Sequence, residues 1–216
     1  MNNLKSHWRW GVAGLAVAAF CVVCFLFLDR PAADWFHALP EAWHRAGTLF
    51  SRWGIAEYWV LAPALVCAIF YGVRKNRADC FRCLFPVLAV VVSGLGNSAL
   101  KFGFGRCRPK LWFEAQEYGF NWFHGTKAVW QSFPSGHTVA VAAAATALWL
   151  AYPRLRPLAL LYVGMMMAAR LLAGAHYPGD VVASAFVGAA VTAVIWKQMR
   201  KYGLCGTDNT PVVPPA

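Results

Sequence analysis

The 216-residue chain is 59% hydrophobic and 13% charged, carries 11 Trp and has a mean hydropathy of +0.46. That is more apolar side chain than one soluble core of this size needs, so several segments must face lipid. A formal charge of +11 would suit a nucleic-acid binder, but the basic residues stand in short clusters between apolar segments rather than on one aromatic-laced face, and membrane topology accounts for them first.

Residues 11–28 form an uncharged run of spanning length behind Lys5, Trp8, Arg9 and Trp10, which predicts a first transmembrane helix. A secretory signal peptide is the competing reading, against which no small-x-small cleavage site follows. Residues 29–54 mix Trp35, Phe36, Trp43, Leu49 and Phe50 with Asp34, Glu41, Arg45 and Arg52, the pattern of an amphipathic segment lying at the interface. A second span is predicted over 55–73, ending at a basic cluster over 74–77, and a third over 83–102. A long irregular stretch over 103–133 then carries Trp112, Phe113, Tyr118, Phe120, Trp122, Phe123, Trp130 and Phe133.

Residues 138–152 are the fourth predicted span, stopped by Pro153 and Pro157. A fifth runs over 158–175 and a sixth over 181–196, followed by Lys197, Arg200 and Lys201. The Pro-rich residues 203–216 read as a disordered tail. The expectation is an all-α polytopic membrane protein with six transmembrane helices in one domain over 1–202. Seven cysteines, most of them in or beside apolar segments, read as small buried hydrophobes rather than a disulfide framework.

Six spans allow an orientation test. With both termini cytoplasmic, the inner segments hold Lys5, Arg9, Arg74, Lys75, Arg77, Arg82, Arg154, Arg156, Lys197, Arg200 and Lys201, as the positive-inside rule favours. Lys101, Arg108, Ser135, His137, Arg170, His176 and Asp180 then all fall at the outer ends of helices three to six. In a bacterial-type cell that is the periplasmic side of the inner membrane.

Phe133 to His137 opens the fourth span. Pro134 and Ser135 ahead of an apolar run are helix-start chemistry, and the unpartnered N–H groups of a first turn make an anion site. Lys101 and Arg170 sit in or at the edge of apolar spans, where a central cation costs roughly 2.5 to 3.5 kcal/mol. Each alone reads as a snorkelling side chain, whereas one shared polar site explains them together.

These residues also carry a resemblance. Lys101, six residues, then Arg108-Pro109; Pro134-Ser135-Gly136-His137; and Arg170, five residues, His176, three residues, Asp180 together resemble the three-part signature of the type 2 phosphatidic acid phosphatases, a superfamily that includes soluble acid phosphatases and vanadium haloperoxidases. The resemblance covers residues 85–197 as a catalytic core. Ala169 departs from it, since the family usually has Ser before the Arg.

The residues argue the same chemistry. A transferring phosphoryl group spreads negative charge over its oxygens, so the site needs positioned cations and N–H donors. Lys101, Arg108 and Arg170 supply the charges, and Ser135 with the N–H groups around Gly136 completes the cradle. His176 has Asp180 four residues on, where a carboxylate can hold one ring nitrogen as N–H and leave the other as nucleophile. The resemblance implies the same role, with a phosphohistidine on His176. His137 is then expected to protonate the leaving oxygen and later activate water.

No metal or other cofactor is expected, because Asp180 is the one acid clearly within this group. Cys80-x-x-Cys83 invites a zinc reading but lacks a second pair. In the aromatic stretch, Trp112, Phe113, Trp122 and Phe123 read either as headgroup-zone aromatics or as an entrance for lipid phosphate. The expected partner is a lipid substrate in a bilayer, with no nucleic acid. Candidates drawn from the resemblance are lipid A, undecaprenyl pyrophosphate, phosphatidylglycerol phosphate and phosphatidic acid. Two rivals are a lipid phosphotransferase and a non-catalytic lipid-phosphate binding or transport protein.

Overall fold

The structure, a computed structural model, describes residues 2–74, 77–124 and 126–202. The tail over 203–216 and the side chains of Cys80 and Cys83 lie outside what it describes. Helices α1 (Asn2–Val23), α2 (Asp29–His37), α3 (Glu41–Ser51), α4 (Ala56–Arg74), α5 (Arg77–Phe104), α6 (Pro109–Ala115), α7 (Gly136–Ala151), α8 (Arg156–Leu172) and α9 (Pro178–Lys201) follow in chain order. Among the described residues there is no strand, only an isolated antiparallel bridge between Arg106 and Phe120.

α7 is the hub, with α4, α5, α8 and α9 packed round it. Its sequence explains the position: Ala142, Ala143, Ala144, Ala145 and Ala147 are buried, and small side chains let helix backbones approach closely where lipid removes the hydrophobic drive between helices. A Cβ on Gly188 of α9 would stand 2.6 Å from the Val139 carbonyl oxygen and 2.9 Å from Ala142 Cβ. Phe85, Ala89 and Val90 of α5, Ala140 and Ala144 of α7 and Met199 of α9 form one core cluster. The outward faces are apolar as well, with Leu15, Leu61, Leu95, Leu158 and Val194 exposed, as a lipid-facing surface requires.

Two boundaries differ from the sequence reading. The first helix does not stop at Leu28, because a π turn over Cys24–Leu28 carries it without a break into α2. This wide turn precedes Pro31, which has no N–H to donate four residues back. The 29–54 segment therefore splits: Asp29–His37 prolongs the first helix, and only α3 is a separate amphipathic helix, packed on α8.

Length and apolarity do not by themselves confirm six spans. Among the described residues five runs are long and apolar enough to cross a membrane: Trp8–His37, Glu41–Ile69, Leu84–Phe104, Pro153–Leu172 and Pro178–Lys201. α7 is a shorter apolar helix of 16 residues, enclosed by protein rather than lipid.

Candidate active site

All eight predicted catalytic and phosphate-binding residues gather at one end of the bundle. Lys101 comes from the last turn of α5. Gly105, at φ +55°, ends that helix by donating its N–H to the Lys101 carbonyl at 3.0 Å, a left-handed cap that suits glycine. The chain then passes Arg106 and Arg108 before entering α6 at Pro109. Ser135 caps α7, with Gly136 and His137 in its first turn.

Arg170 lies in the last turn of α8. Gly174, at φ +60°, closes this helix; its N–H reaches the Leu171 carbonyl at 2.9 Å, and the Ala175 N–H reaches the Arg170 carbonyl at 3.2 Å. This paired closure reverses the chain within a few residues and brings His176 back over the site ahead of Asp180 in the first turn of α9.

The cationic half of the site is short of partners. Lys101, Arg108 and Arg170 lie near enough to act electrostatically on one another and on His137. The buried Nε–H groups of Arg108 and Arg170 have no hydrogen-bond acceptor. A buried N–H without an acceptor is costly, and two beside a lysine describe a place prepared for an oxyanion. Burial pushes the Arg108 pKa below its ordinary value, which for a guanidinium leaves it charged. A Cβ on Gly136 would lie at contact distance from Lys101 Nζ, 3.7 Å, and Asn97 Nδ2, 3.6 Å, so the helix start faces both side chains.

The histidine half is differently built. His176 Nδ1 stands 2.7 Å from the Ser132 backbone carbonyl oxygen. A carbonyl can only accept, so Nδ1 carries the proton and Nε2 keeps the lone pair. The sequence reading gave that task to Asp180, yet the nearest Asp180 oxygen, Oδ2, is 3.7 Å from Nδ1. Asp180 Oδ2 instead accepts from Ser132 Oγ at 2.6 Å and from the Tyr177 N–H at 2.9 Å, while Oδ1 accepts from Arg106 at 2.5 Å. Burial holds the His176 pKa below its ordinary value against the pull of Asp180, with Arg170 and Arg108 adding to the depression.

Ser132, Arg106 and Asp29 were not singled out from sequence. Arg106 bridges Asp180 and Asp29, the latter at 2.6 Å, and all three side chains are buried. Its guanidinium lies among the rings of Phe25, Tyr118, Phe120 and Tyr177. Burial works against its charge, but Asp180 and Asp29 outweigh that and raise its pKa. A cation at this density of aromatic residues was a signal available in the sequence; its partner on the first helix was not.

The four entrance aromatics divide. Trp112 donates to Asp34 at 2.9 Å, and Phe113 stacks on His37 with ring centroids 3.9 Å apart, so both face α2. Trp122 and Phe123 are exposed and pack on Phe104 and Phe102 of α5. A cavity of about 420 Å³ on the first side is lined by His176, Phe113, Lys110, Glu114 and Glu41 among apolar side chains. On the other, an apolar groove of about 430 Å³ runs between Val17, Phe25, Phe104, Trp122 and Phe186. Among the described residues no group of three or more His, Cys, Asp or Glu side chains is placed to hold a metal ion.

One polar end of this all-α bundle thus brings together three cations, a helix start with glycine and two histidines, an arrangement suited to binding a phosphoryl group. Residues 82–203 match the PAP2 superfamily, and the chain belongs to that family. It is 37% identical to a lipid A 1-phosphatase of Rhizobium johnstonii over 94% of its own length and 88% of that protein. A second lipid A 1-phosphatase, from Rhizobium etli, is 38% identical over 57% of this chain and 54% of its own length. Phosphatidylglycerophosphatase B of Escherichia coli is 37% identical over 43% of this chain and 36% of its own length.

Among solved structures, Aquifex aeolicus LpxE aligns with a TM-score of 0.58 at 24% identity, covering 79% of this chain and 95% of that one. A PAP2-type phosphatidylglycerolphosphate phosphatase from Bacillus subtilis aligns with a TM-score of 0.62 at 17% identity, covering 87% and 96%. These two likenesses establish the shared fold. The protein is therefore a multi-pass membrane lipid phosphatase of the PAP2 superfamily.

Proposed function

We propose that this phosphatase removes a phosphate from a lipid headgroup through a phosphohistidine on His176, at the outer face of the membrane. The observation that carries the mechanism is the Ser132 carbonyl at Nδ1, which fixes the ring tautomer with Nε2 as nucleophile. Lys101, Arg108, Arg170, Ser135 and the N–H groups around Gly136 hold the phosphoryl oxygens. The Nε2 lone pair forms a bond to phosphorus as the bond to the leaving oxygen breaks, and His137 gives that oxygen its proton. In the second half water attacks phosphorus, His137 takes its proton, and the P–N bond breaks to restore His176.

The long similarity to a lipid A 1-phosphatase favours a lipid A phosphate over the other candidate lipids. Basic residues at the far end of the bundle, Arg154, Arg156, Lys197, Arg200 and Lys201, support a cytoplasmic assignment for that end and an outward-facing site. Among the described residues the carboxylate paired with His176 is Asp180, whose oxygens are already engaged by Arg106, Ser132 and Tyr177. The reaction proposed is accordingly metal-independent.

The test incubates purified protein with a panel of lipid phosphates, with and without chelator, and follows labelled phosphate into water, protein and lipid. Release into water from lipid A is expected to be fastest and insensitive to chelator, with an alkali-stable, acid-labile label on the wild-type protein and none on His176→Ala. Normal turnover by His176→Ala would overturn the mechanism, and label arriving on a second lipid instead of in water would make the protein a phosphotransferase.

A further inference from the structure

Asp29 belongs to none of the three signature segments and lies outside residues 82–203, yet its buried carboxylate reaches the catalytic end by two routes. Oδ1 accepts the Gly179 N–H at 3.0 Å, and Oδ2 accepts from Arg106 at 2.6 Å. Through the first route it grips the opening turn of α9, one residue before Asp180. Through the second it shares the guanidinium that binds Asp180 Oδ1 at 2.5 Å. The approach is close by design of the chain, because a Cβ on Gly179 would meet Cys24 Cβ at 3.2 Å and Asp29 Oδ2 at 3.3 Å.

A buried ion triad is poor evidence for stability, since well-packed apolar side chains commonly serve as well or better. Its members are instead strung along a line that ends at the nucleophile: Asp29, Arg106, Asp180, the Ser132 hydroxyl, and the Ser132 carbonyl on His176 Nδ1. Tyr118 braces the same guanidinium, accepting from Arg106 at 3.1 Å and donating to the Phe25 carbonyl at 2.7 Å. The other charges bearing on His176, Arg108 and Arg170, belong to the phosphate cradle.

We infer that Asp29 of the first helix is a positioning residue for the reaction, setting the Asp180 carboxylate through Arg106 and the first turn of α9, and so the orientation of the His176 ring. The two acids divide one guanidinium. With Asp29 neutral, Arg106 is drawn wholly onto Asp180, and the carboxylate becomes a weaker acceptor for Ser132 just as the imidazole gains positive charge on attacking phosphorus. The defect is thus larger in the transition state than in the ground state. This inference rests on the proposed role of His176.

The experiment compares wild type, Asp29→Asn, Gly188→Ala and His176→Ala, purified in detergent, on a short-chain soluble phosphate ester. Vanadate, which adopts the five-coordinate geometry of the transferring phosphoryl group, and orthophosphate, which mimics its ground state, serve as inhibitors. For Asp29→Asn, kcat is expected to fall roughly ten- to hundred-fold, the range of outer-shell partners, with KM within about threefold of wild type. Vanadate inhibition weakens in step while orthophosphate inhibition holds. Gly188→Ala, at the α7–α9 contact, supplies the comparison for packing damage and leaves the vanadate-to-phosphate ratio unchanged.

If Asp29→Asn does not purify folded, Asp29→Glu, which moves the charge by one methylene, is put to the same ratio. Wild-type kcat in an Asp29 variant, or equal weakening of both inhibitors, overturns the inference provided His176→Ala is inert. An active His176→Ala overturns the nucleophile assignment itself.

Discussion

The Ser132 hydroxyl offers the sharpest test of how the proposed nucleophile is held. Ser132→Ala leaves the backbone carbonyl on His176 Nδ1 untouched and removes only the 2.6 Å bond to Asp180 Oδ2. That bond goes to a buried carboxylate, a class contributing about 1.5 to 3 kcal/mol, or roughly ten- to hundred-fold in rate if the whole of it is felt in the transition state. Asp180 retains Arg106 and the Tyr177 N–H, so the carboxylate stays charged and in place. The loss should therefore fall well short of that from His176→Ala. The assay is kcat/KM on a soluble phosphate ester beside thermal unfolding in detergent, with the fold intact and the rate reduced. A rate equal to wild type would refute the reasoning by showing that the carbonyl alone orients the ring.

Two further outcomes follow from the geometry. Gly188→Ala places a methyl 2.6 Å from the Val139 carbonyl oxygen and 3.0 Å from the Ala143 nitrogen, where both neighbours are backbone, so it should destabilise the bundle by about 1 to 3 kcal/mol; an unchanged unfolding midpoint would contradict the close α7–α9 packing. Because burial depresses the His176 pKa, the neutral nucleophile persists as pH falls through the ordinary histidine value of about 6.5. The acid limb of kcat/KM, corrected for substrate ionisation, should thus lie below that value, and a His176-dependent limb at or above it would count against the buried, neutral ring.

The grouping of the candidate site residues was legible because each is placed by a local signal. Lys101, Arg108, Ser135, His137, Arg170, His176 and Asp180 each stand at a helix end, and helix ends can be read from apolar runs, Pro and Gly. Relations between distant segments could not be read. Asp29 looked like the polar end of a span, and only the π turn over Cys24–Leu28, which no periodicity announces, carries the helix on so that this carboxylate meets Arg106. The pairing of His176 with Asp180 was inferred from spacing, and the structure interposes Ser132 because the 103–133 stretch folds back through bonds such as the Ser132 N–H to the Arg106 carbonyl at 3.0 Å. A sixth span is not confirmed, because α7 is only 16 residues long and is apolar on account of its helical neighbours.

The brevity of α7 bears on how water reaches the reaction. Sixteen residues rise roughly 24 Å, short of the ~30 Å hydrocarbon layer. A lipid-exposed helix would meet that mismatch by thinning the bilayer around it, but α7 is walled by protein. Ser135, Gly136 and His137 begin this helix at the end where Lys101, Arg170 and Asp180 also stand. On the proposed mechanism, the water that cleaves the P–N bond is activated by His137 at this protein-walled helix start.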